Sequence, residues 1–263
     1  MPELTRLDAA IAERGLARSR TVAAKLIADG LVTVDGVPVL KPSAKVAESA
    51  VIVLAGLDHY VSRAAHKLIA ALDAFAVDPS GRLALDVGAS TGGFTQVLLE
   101  RGARRVIALD VGHAQLAPLV RSDPRVVVIE GFNVRELDAA GLQQMGGGEL
   151  PTLVVADVSF ISLKLVLPAV VGAVGVEPDF VLLIKPQFEV GRTGIREGIV
   201  HDSGLRDDAV MGVLWAAWDL GLGTAGVIAS PIAGGAGNRE YLAWLSTGGV
   251  NPTEWAARVT ALT

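Results

Sequence analysis

The sequence predicts an α/β fold with a mostly parallel sheet, preceded by a small module of short helices and strands. From Leu83 onward, short apolar runs alternate with helical patterns, as expected for right-handed βαβ units. The run Leu83–Val87 ends in a glycine-rich turn that opens a helix, which is typical of a buried parallel strand beside a ligand site. We expect a module at 1–54, a linker at 55–62 and a larger domain at 63–263.

Two short helices are expected in the N-terminal module. The spacing of Leu4, Leu7 and Ile11 predicts the first helix, which ends at Gly15. Ser19 is the expected N-cap of the second helix, because its hydroxyl can accept a hydrogen bond from the first helical turn. An aspartate followed by a glycine then ends this second helix.

A hairpin follows these helices. The Asp35-Gly36 pair lies between two short apolar runs, and this combination is a strong signal for a tight turn between antiparallel strands. The expected strands of the module lie at 31–34, 37–40 and 50–54.

The larger domain begins with a helix that Ser62 caps and that ends at Phe75. Its further helices are expected at 93–101, 114–121, 135–143, 162–174 and 204–220. Its seven strands are expected at 83–87, 105–110, 126–129, 152–157, 180–185, 224–230 and 240–246. The last strand is expected to run in reverse, as the hairpin partner of the strand before it.

Composition limits the classes of protein to consider. The 263 residues are 51% hydrophobic, which is enough to bury the cores of one or two domains. No apolar run reaches the roughly 20 residues that span a bilayer, and the acidic start does not resemble a signal peptide. We therefore expect a cytoplasmic protein with no membrane partner.

The chain has no cysteine. Disulfides, thiolate zinc sites, cysteine-held iron–sulfur clusters and cysteine nucleophiles are therefore excluded. The four histidines are not paired at the spacing of metal ligands, so we expect no metal site.

Positive charge is clustered near the N-terminus, although the whole chain carries a net charge of −5. Four basic residues cluster here, Arg14, Arg18, Arg20 and Lys25, and no acidic residue occurs from residue 15 to residue 28. Arg18 and Lys25 are seven residues apart and would share a helix face, which favours a local contact with nucleic acid. A solvated helix face remains the alternative.

The glycine-rich turn indicates a nucleotide-like ligand. Its segment 88–92 lacks the middle glycine of the dinucleotide fingerprint, which weakens the alternative of an NAD-dependent dehydrogenase. The spacing D-x-G-x-x-x-G suits S-adenosylmethionine better, and Asp110 would accept hydrogen bonds from its ribose hydroxyls. The predicted cofactor contacts are Asp86, Gly88, Ala89, Ser90, Thr91, Gly92, Gly93, Asp110, Asn133 and Asp157. The alternative is that the glycines only turn a strand into a helix.

The absence of two motifs narrows the chemistry of methyl transfer. Attack on a pyrimidine carbon normally uses cysteine, and methylation of an exocyclic amine normally uses N-P-P-Y where this chain has D-V-S-F at 157–160. A ribose hydroxyl instead needs a general base, and a lysine can serve if burial or another cation lowers its pKa. Lys67 and Lys185 are candidates, together with Asp157 and Glu240. Taken singly, each could instead be a phosphate contact, a strand-end cap or a surface charge.

Residues 6–39 resemble the αL RNA-binding module, first seen in a ribosomal protein. The order of two short helices and a hairpin, the basic second helix and the V-x-V-D-G-x-x-V turn all agree with it. The resemblance implies contact with structured RNA, and Arg63 adds a basic residue at the start of the larger domain. The predicted RNA contacts are Arg6, Arg14, Arg18, Arg20, Lys25 and Arg63.

Five segments resemble the TlyA, or haemolysin-A, family: S-R-A-A-H-K-L, D-V-G-A-S-T-G-G-F-T, A-D-V-S-F-I-S-L, I-K-P-Q-F-E and S-P-I-A-G-G-A-G-N-R-E-Y. The family fuses an αL module to an FtsJ-like, Rossmann-like methyltransferase domain. The resemblance implies 2′-O-methylation of cytidine in the RNA of ribosomal subunits, with S-adenosylmethionine as cofactor.

The family's Lys-Asp-Lys-Glu tetrad would be Lys67, Asp157, Lys185 and Glu240. The resemblance implies that Lys185 is the base, that Asp157 and Lys67 orient it and tune its charge, and that Glu240 positions the ribose. Two alternatives to this activity remain: an RNA-binding protein with an inactive methyltransferase domain, and a membrane-damaging haemolysin.

Overall fold

The computed structural model describes residues 4–17, 19–28, 30–54, 59–191, 194–234 and 237–263. The chain forms two compact units, Met1–His59 and Tyr60–Thr263.

The first unit begins with a strand where the sequence predicted a helix. Strand β1 (Leu4–Arg6) pairs antiparallel with β4 (Lys45–Ala47), a partner about forty residues away. Helix α1 (Leu7–Glu13) starts directly after β1, and helix α2 (Arg20–Ala28) follows it. The hydroxyl of Ser19 accepts a hydrogen bond from the third residue after it, as expected of an N-cap.

The predicted hairpin is present in the first unit. Strands β2 (Val32–Val34) and β3 (Val37–Pro38) are antiparallel, and β5 (Ile52–Leu54) pairs with the other edge of β2. Both turn residues have positive φ, 52° at Asp35 and 81° at Gly36, which matches the twist of the strands.

The second unit is an α/β domain whose large sheet has seven strands within the described residues. The strands are β6 (Leu83–Val87), β7 (Arg105–Leu109), β8 (Val126–Ile129), β9 (Leu153–Ala156), β10 (Asp179–Ile184), β11 (Gly223–Ala229) and β12 (Tyr241–Ser246). Their order is β11-β12-β10-β9-β6-β7-β8, and only β12 runs against both of its neighbours. The predicted Rossmann-like, mostly parallel sheet is confirmed.

The helices of this unit are α3 (Ala65–Phe75), α4 (Gly93–Glu100), α5 (Pro118–Arg121), α6 (Ala139–Met145), α7 (Leu163–Val174), α8 (Pro186–Glu189), α9 (Ser203–Trp218) and α10 (Ala256–Leu262). Two of them, α5 and α6, begin four residues later than predicted. Helix α5 begins only at Pro118, because residue 117 is extended and proline fits the first helical position. A 3₁₀ turn, Val134–Glu136, replaces the start of the helix predicted at 135–143.

Helices cover both faces of the sheet. Alternate residues of β6 show the pattern, since Leu85 packs into one apolar cluster and Ala84 into the other. Helices α3 and α4 contribute to the cluster around Ala84, whereas α7 and α9 contribute to the cluster around Leu85. Strands β6 to β10 run parallel to one another, so their carboxyl ends lie at the same edge of the sheet. This is the edge where α/β proteins bind ligands.

Candidate active site

A cavity of about 530 Å³ opens at the carboxyl edge of the large sheet. Its wall includes Gly88 after β6, Asp110 after β7, Asn133 after β8 and Asp157 after β9. A smaller cavity of about 120 Å³ is lined by Lys185, Asp157 and the turn after β6. The sequence-predicted cofactor residues on these two walls are Gly88, Ala89, Ser90, Thr91, Gly93, Asp110, Asn133 and Asp157.

Gly88 brings two strand ends close together. Its φ is +82°, and a Cβ atom at this position would lie 2.8 Å from the backbone oxygen of Asp157. A side chain would therefore strain the turn and push apart the ends of β6 and β9. The glycine keeps Asp157 beside the turn.

Gly92 and Gly93 have packing roles. A Cβ at Gly92 would lie 2.9 Å from Leu116, and a Cβ at Gly93 would lie 2.9 Å from Ser62. Gly93 therefore lets the residues that precede α3 approach the start of α4. In this structure Gly92 is not on the wall of either cavity, whereas Gly93 lines the smaller one.

Asp110 connects the turns that follow β6 and β7. Its Oδ2 accepts a hydrogen bond from the Ser90 N–H at 2.8 Å, and its Oδ1 accepts one from the Gly112 N–H at 2.7 Å. Ser90 has a φ of +48°, so the glycine-rich turn is held in a tight conformation. Each carboxylate oxygen still has acceptor capacity toward the cavity.

Asn133 caps the 3₁₀ turn that forms part of the wall. Its Oδ1 accepts a hydrogen bond from the Arg135 N–H at 3.2 Å, which fixes the side chain at the end of β8. The amide lies on the cavity wall, where it can contact a ligand.

Asp86 lies under the cavity rather than on its wall. It is fully buried, and its Oδ2 accepts a hydrogen bond of 2.6 Å from the Thr95 hydroxyl. Its Oδ1 has no hydrogen-bond partner among the described residues. Burial raises the pKa of this carboxyl from 3.8 to about 7, although the Thr95 hydrogen bond acts in the opposite direction.

Asp86→Asn should change how stability depends on pH. Between pH 4 and 7 the folded protein keeps a proton on Asp86 that the unfolded chain has lost, so this group's contribution to stability falls as pH rises. An asparagine cannot ionise, and relative to wild type the variant should gain roughly 4 kcal/mol between pH 4 and pH 8. Urea unfolding of both proteins at several pH values measures this gain. A stability difference that is constant across pH would contradict the prediction.

Lys185 and Asp157 form an ion pair at the cavity. Lys185 Nζ lies 2.6 Å from Asp157 Oδ1 and donates a 2.8 Å hydrogen bond to Ser159 Oγ. Lys185 comes directly after β10 and is only 9% exposed, whereas Asp157 comes directly after β9. Adjacent parallel strands therefore deliver a lysine and its counter-ion to the same edge of the sheet.

Lys67 and Glu240 form a second ion pair. Lys67 Nζ, from the first turn of α3, lies 2.6 Å from Glu240 Oε2, directly before β12. Both side chains are buried, and Gln187 Nε2 donates a 3.4 Å hydrogen bond to the other oxygen of Glu240. The four residues of the predicted tetrad are thus arranged as two lysine–carboxylate pairs.

Three residues near these pairs were not singled out from the sequence. Ser159 and Gln187 bond to members of the pairs, as described above. Phe160 has a φ of +66° and is 92% exposed, and its ring centroid lies 5.3 Å from that of Phe188. The motifs contain these residues, but no local pattern reveals contacts between segments that are from 26 to 53 residues apart.

The predicted RNA contacts have different environments. The Arg14 guanidinium donates hydrogen bonds to three backbone carbonyls at 47–50, so it stabilises the module itself. Arg6 and Arg20 both pair with the buried carboxylate of Asp8, at 2.7 and 3.5 Å. Two more of the set are exposed, Lys25 and Arg63, and Arg18 lies outside the described residues.

No helix among the described residues is long and apolar enough to cross a membrane. In the same part of the chain, no three acidic or histidine side chains are grouped so that they could hold a metal ion.

The strand order with one reversed strand, the glycine-rich turn and the carboxylates at successive strand ends define a Rossmann-like methyltransferase domain. The model of the FtsJ-like methyltransferase family matches residues 60–247, and that of the S4 domain matches residues 5–52. The chain belongs to the TlyA family of FtsJ-like methyltransferases, so the family predicted from the motifs is confirmed.

Individual relatives agree with this assignment. The 16S/23S rRNA (cytidine-2′-O)-methyltransferase TlyA of Mycobacterium tuberculosis is 50% identical, over 94% of this chain and 91% of the relative. Hemolysin A of Brachyspira hyodysenteriae is 39% identical, over 90% of this chain and 98% of that one. A solved structure from Streptococcus thermophilus is 38% identical with a TM-score of 0.77, and the match covers 99% of this chain and 95% of that chain.

Proposed function

We propose that the protein transfers a methyl group from S-adenosylmethionine to the 2′-hydroxyl of a cytidine in ribosomal RNA. The observation that carries this proposal is the position of Lys185, which lies on a cavity beside the glycine-rich turn and is paired with Asp157. The named activity of the Mycobacterium tuberculosis relative supports the choice of substrate. A ribosomal substrate also implies that the protein acts in the cytoplasm.

The residues of the larger cavity fit S-adenosylmethionine. Its volume of about 530 Å³ lies within the range of small-molecule sites. Gly88 leaves space where a side chain would collide with the backbone of Asp157, and the carboxylate of Asp110 suits ribose hydroxyls. Asn133 offers an amide for the adenine, so these residues would hold the cofactor. When bound, the cofactor supplies an electrophilic methyl group on a sulfonium.

Lys185 is the proposed general base. The hydroxyl of a ribose is a weak acid, and its proton must leave as the oxygen attacks the methyl carbon. The Lys185 ammonium of the ion pair first releases a proton to solvent. The neutral amine then takes the proton of the hydroxyl, and the Asp157 carboxylate, 2.6 Å away, stabilises the ammonium ion that forms again. The Ser159 hydroxyl holds the amine from another side and so limits its rotation.

The second ion pair and Phe160 are proposed to position the acceptor nucleotide. Lys67 neutralises Glu240 and fixes its carboxylate, which can then accept a hydrogen bond from a ribose hydroxyl. The exposed ring of Phe160 offers a surface on which an unpaired base can stack. Aromatic stacking of this kind is common where proteins bind single-stranded RNA.

The S4 domain is proposed to supply RNA affinity. Its exposed Lys25 can contact phosphate, and Arg18 stays a predicted contact. Arg63 is exposed on the methyltransferase domain and is a further proposed phosphate contact. Arg6, Arg14 and Arg20 stay predicted contacts, and their guanidinium groups also stabilise the S4 fold, because they bond to Asp8 or to backbone carbonyls.

Transfer to a ribose can be measured directly. Ribosomal subunits from cells that lack the gene are incubated with methyl-labelled S-adenosylmethionine and the purified protein, and their RNA is digested to nucleosides. We expect the label in 2′-O-methylcytidine. Label on a base would contradict the proposed chemistry. Calorimetric binding of the cofactor without any transfer to either subunit would favour the inactive-domain alternative, and tighter binding of NAD would favour a dehydrogenase.

A further inference from the structure

Glu189, the last residue of α8, bonds to the start of α7. Its Oε2 accepts a 2.5 Å hydrogen bond from the Ser162 hydroxyl, and its Oε1 accepts one of 2.8 Å from the Leu163 N–H. Ser162 also caps α7 itself, because its Oγ accepts a hydrogen bond from the Lys164 N–H at 3.1 Å. The carboxylate therefore joins two segments that are 26 residues apart.

These two segments carry the proposed catalytic pair. Lys185 directly precedes α8, and Glu189, four residues further along the chain, is the last residue of this short helix. Asp157 and Ser159 lie on the segment between β9 and α7, which ends at Ser162. The two segments thus meet twice, at Lys185 through its contacts with Asp157 and Ser159, and at Glu189.

Capping of α7 alone does not require this glutamate. Helices α6 and α9 are each capped by a single aspartate, Asp138 and Asp202. Helix α7 is capped by Ser162, and its Leu163 N–H donates a second hydrogen bond to the Glu189 carboxylate. Burial of the Glu189 carboxyl raises its pKa, so this arrangement has a desolvation cost that a simple cap on the surface avoids.

We propose that Glu189 is a positioning residue for methyl transfer. By clamping the segment 185–189 to the start of α7, it fixes the distance between the Lys185 amine and the Asp157 carboxylate. The proposal rests on the proposed function, because it assigns Glu189 to the same reaction. Glu189 acts through Lys185 rather than on the substrate, since its side chain lies on the wall of neither cavity and bonds to Ser162 and Leu163 instead.

Two variants test this role. Glu189→Ala removes both acceptors, and we expect kcat to fall about 10- to 100-fold, as misplaced catalytic groups do, while the KM for S-adenosylmethionine changes little. Glu189→Gln keeps one carbonyl acceptor and should recover part of kcat. The matched control is Asp138→Ala, which removes the capping carboxylate of α6 and should lower Tm without lowering kcat per folded molecule.

A second measurement does not depend on activity. Lys185 is 9% exposed, so it should react slowly with an acylating reagent when this is followed by mass spectrometry. We expect its labelling to become several-fold faster in Glu189→Ala but not in Asp138→Ala. Equal labelling rates in both variants, or a fall in kcat that only follows the loss of folded protein, would overturn the positioning role. If wild type methylates no RNA, the proposed function fails, and the labelling rates still decide whether Glu189 clamps Lys185.

Discussion

Lys185→Ala is expected to lower kcat for RNA methylation by at least about 100-fold, the lower end of what a general base contributes. The reason is geometric, because the Lys185 amine is the basic group that Asp157 and Ser159 hold at the cavity. Binding of S-adenosylmethionine should change little, because the predicted cofactor contacts lie on the strand ends before Lys185. Single-turnover kinetics with ribosomal subunits and calorimetry with the cofactor measure the two effects separately.

The control for this variant is Arg101→Ala. It also removes a cation, but one that pairs with Asp73 on the exposed surface. We expect the control to keep wild-type kcat. If Lys185→Ala also turned over at nearly the wild-type rate, another group would have to accept the ribose proton, and the assignment of Lys185 as base would be wrong.

Glu240→Ala is expected to lower the free energy of unfolding by about 3–5 kcal/mol, because it leaves the buried Lys67 ammonium without its counter-ion. Lys67→Met should also lower the free energy of unfolding, because it leaves the Glu240 carboxylate, which is 3% exposed, without its counter-ion. The double variant Lys67→Met/Glu240→Ala removes both charges and should be less destabilised than the sum of the single variants. Urea denaturation of wild type, the two single variants and the double variant gives the coupling free energy between Lys67 and Glu240.

The exposed pair of Arg101 and Asp73 is the matched comparison for this cycle. Its side chains are 41% and 55% exposed, so breaking it should cost less than about 1 kcal/mol. A cost of similar size for Glu240→Ala would mean that Lys67 and Glu240 do not form a buried ion pair in solution. Activity of the double variant adds a separate test, because a stable but inactive protein would assign the pair to the reaction rather than to folding.

Local patterns predicted most of the large sheet. Strand β6 ends where its apolar run meets the glycine-rich turn, and the strand at Val126–Ile129 also has the predicted bounds. Strand β1 was missed because its partner is β4, and an antiparallel pair so distant in sequence leaves no signal in three residues. Helix α10 was missed because a short helix near the end of the chain gives little periodicity.

The candidate site was predicted less completely than the fold. The motifs indicated its members, but they did not indicate that Lys67 pairs with Glu240 and Lys185 with Asp157, because the partners lie far apart in the sequence. Charge clustering did not reveal a structural role of Arg14. Its guanidinium donates to backbone carbonyls on a segment more than thirty residues away, and its contact with RNA stays a prediction.

The reversed direction of β12 determines which side chains can meet at this edge of the sheet. Lys185 and Asp157 follow their strands, whereas Glu240 precedes its own strand, so parallel strands alone could not bring the three to the same edge. Were β12 parallel to β10, its six residues would carry Glu240 to the opposite edge, roughly 20 Å away. The chain polarity of one strand thus decides whether the carboxylate can take part in the site at all.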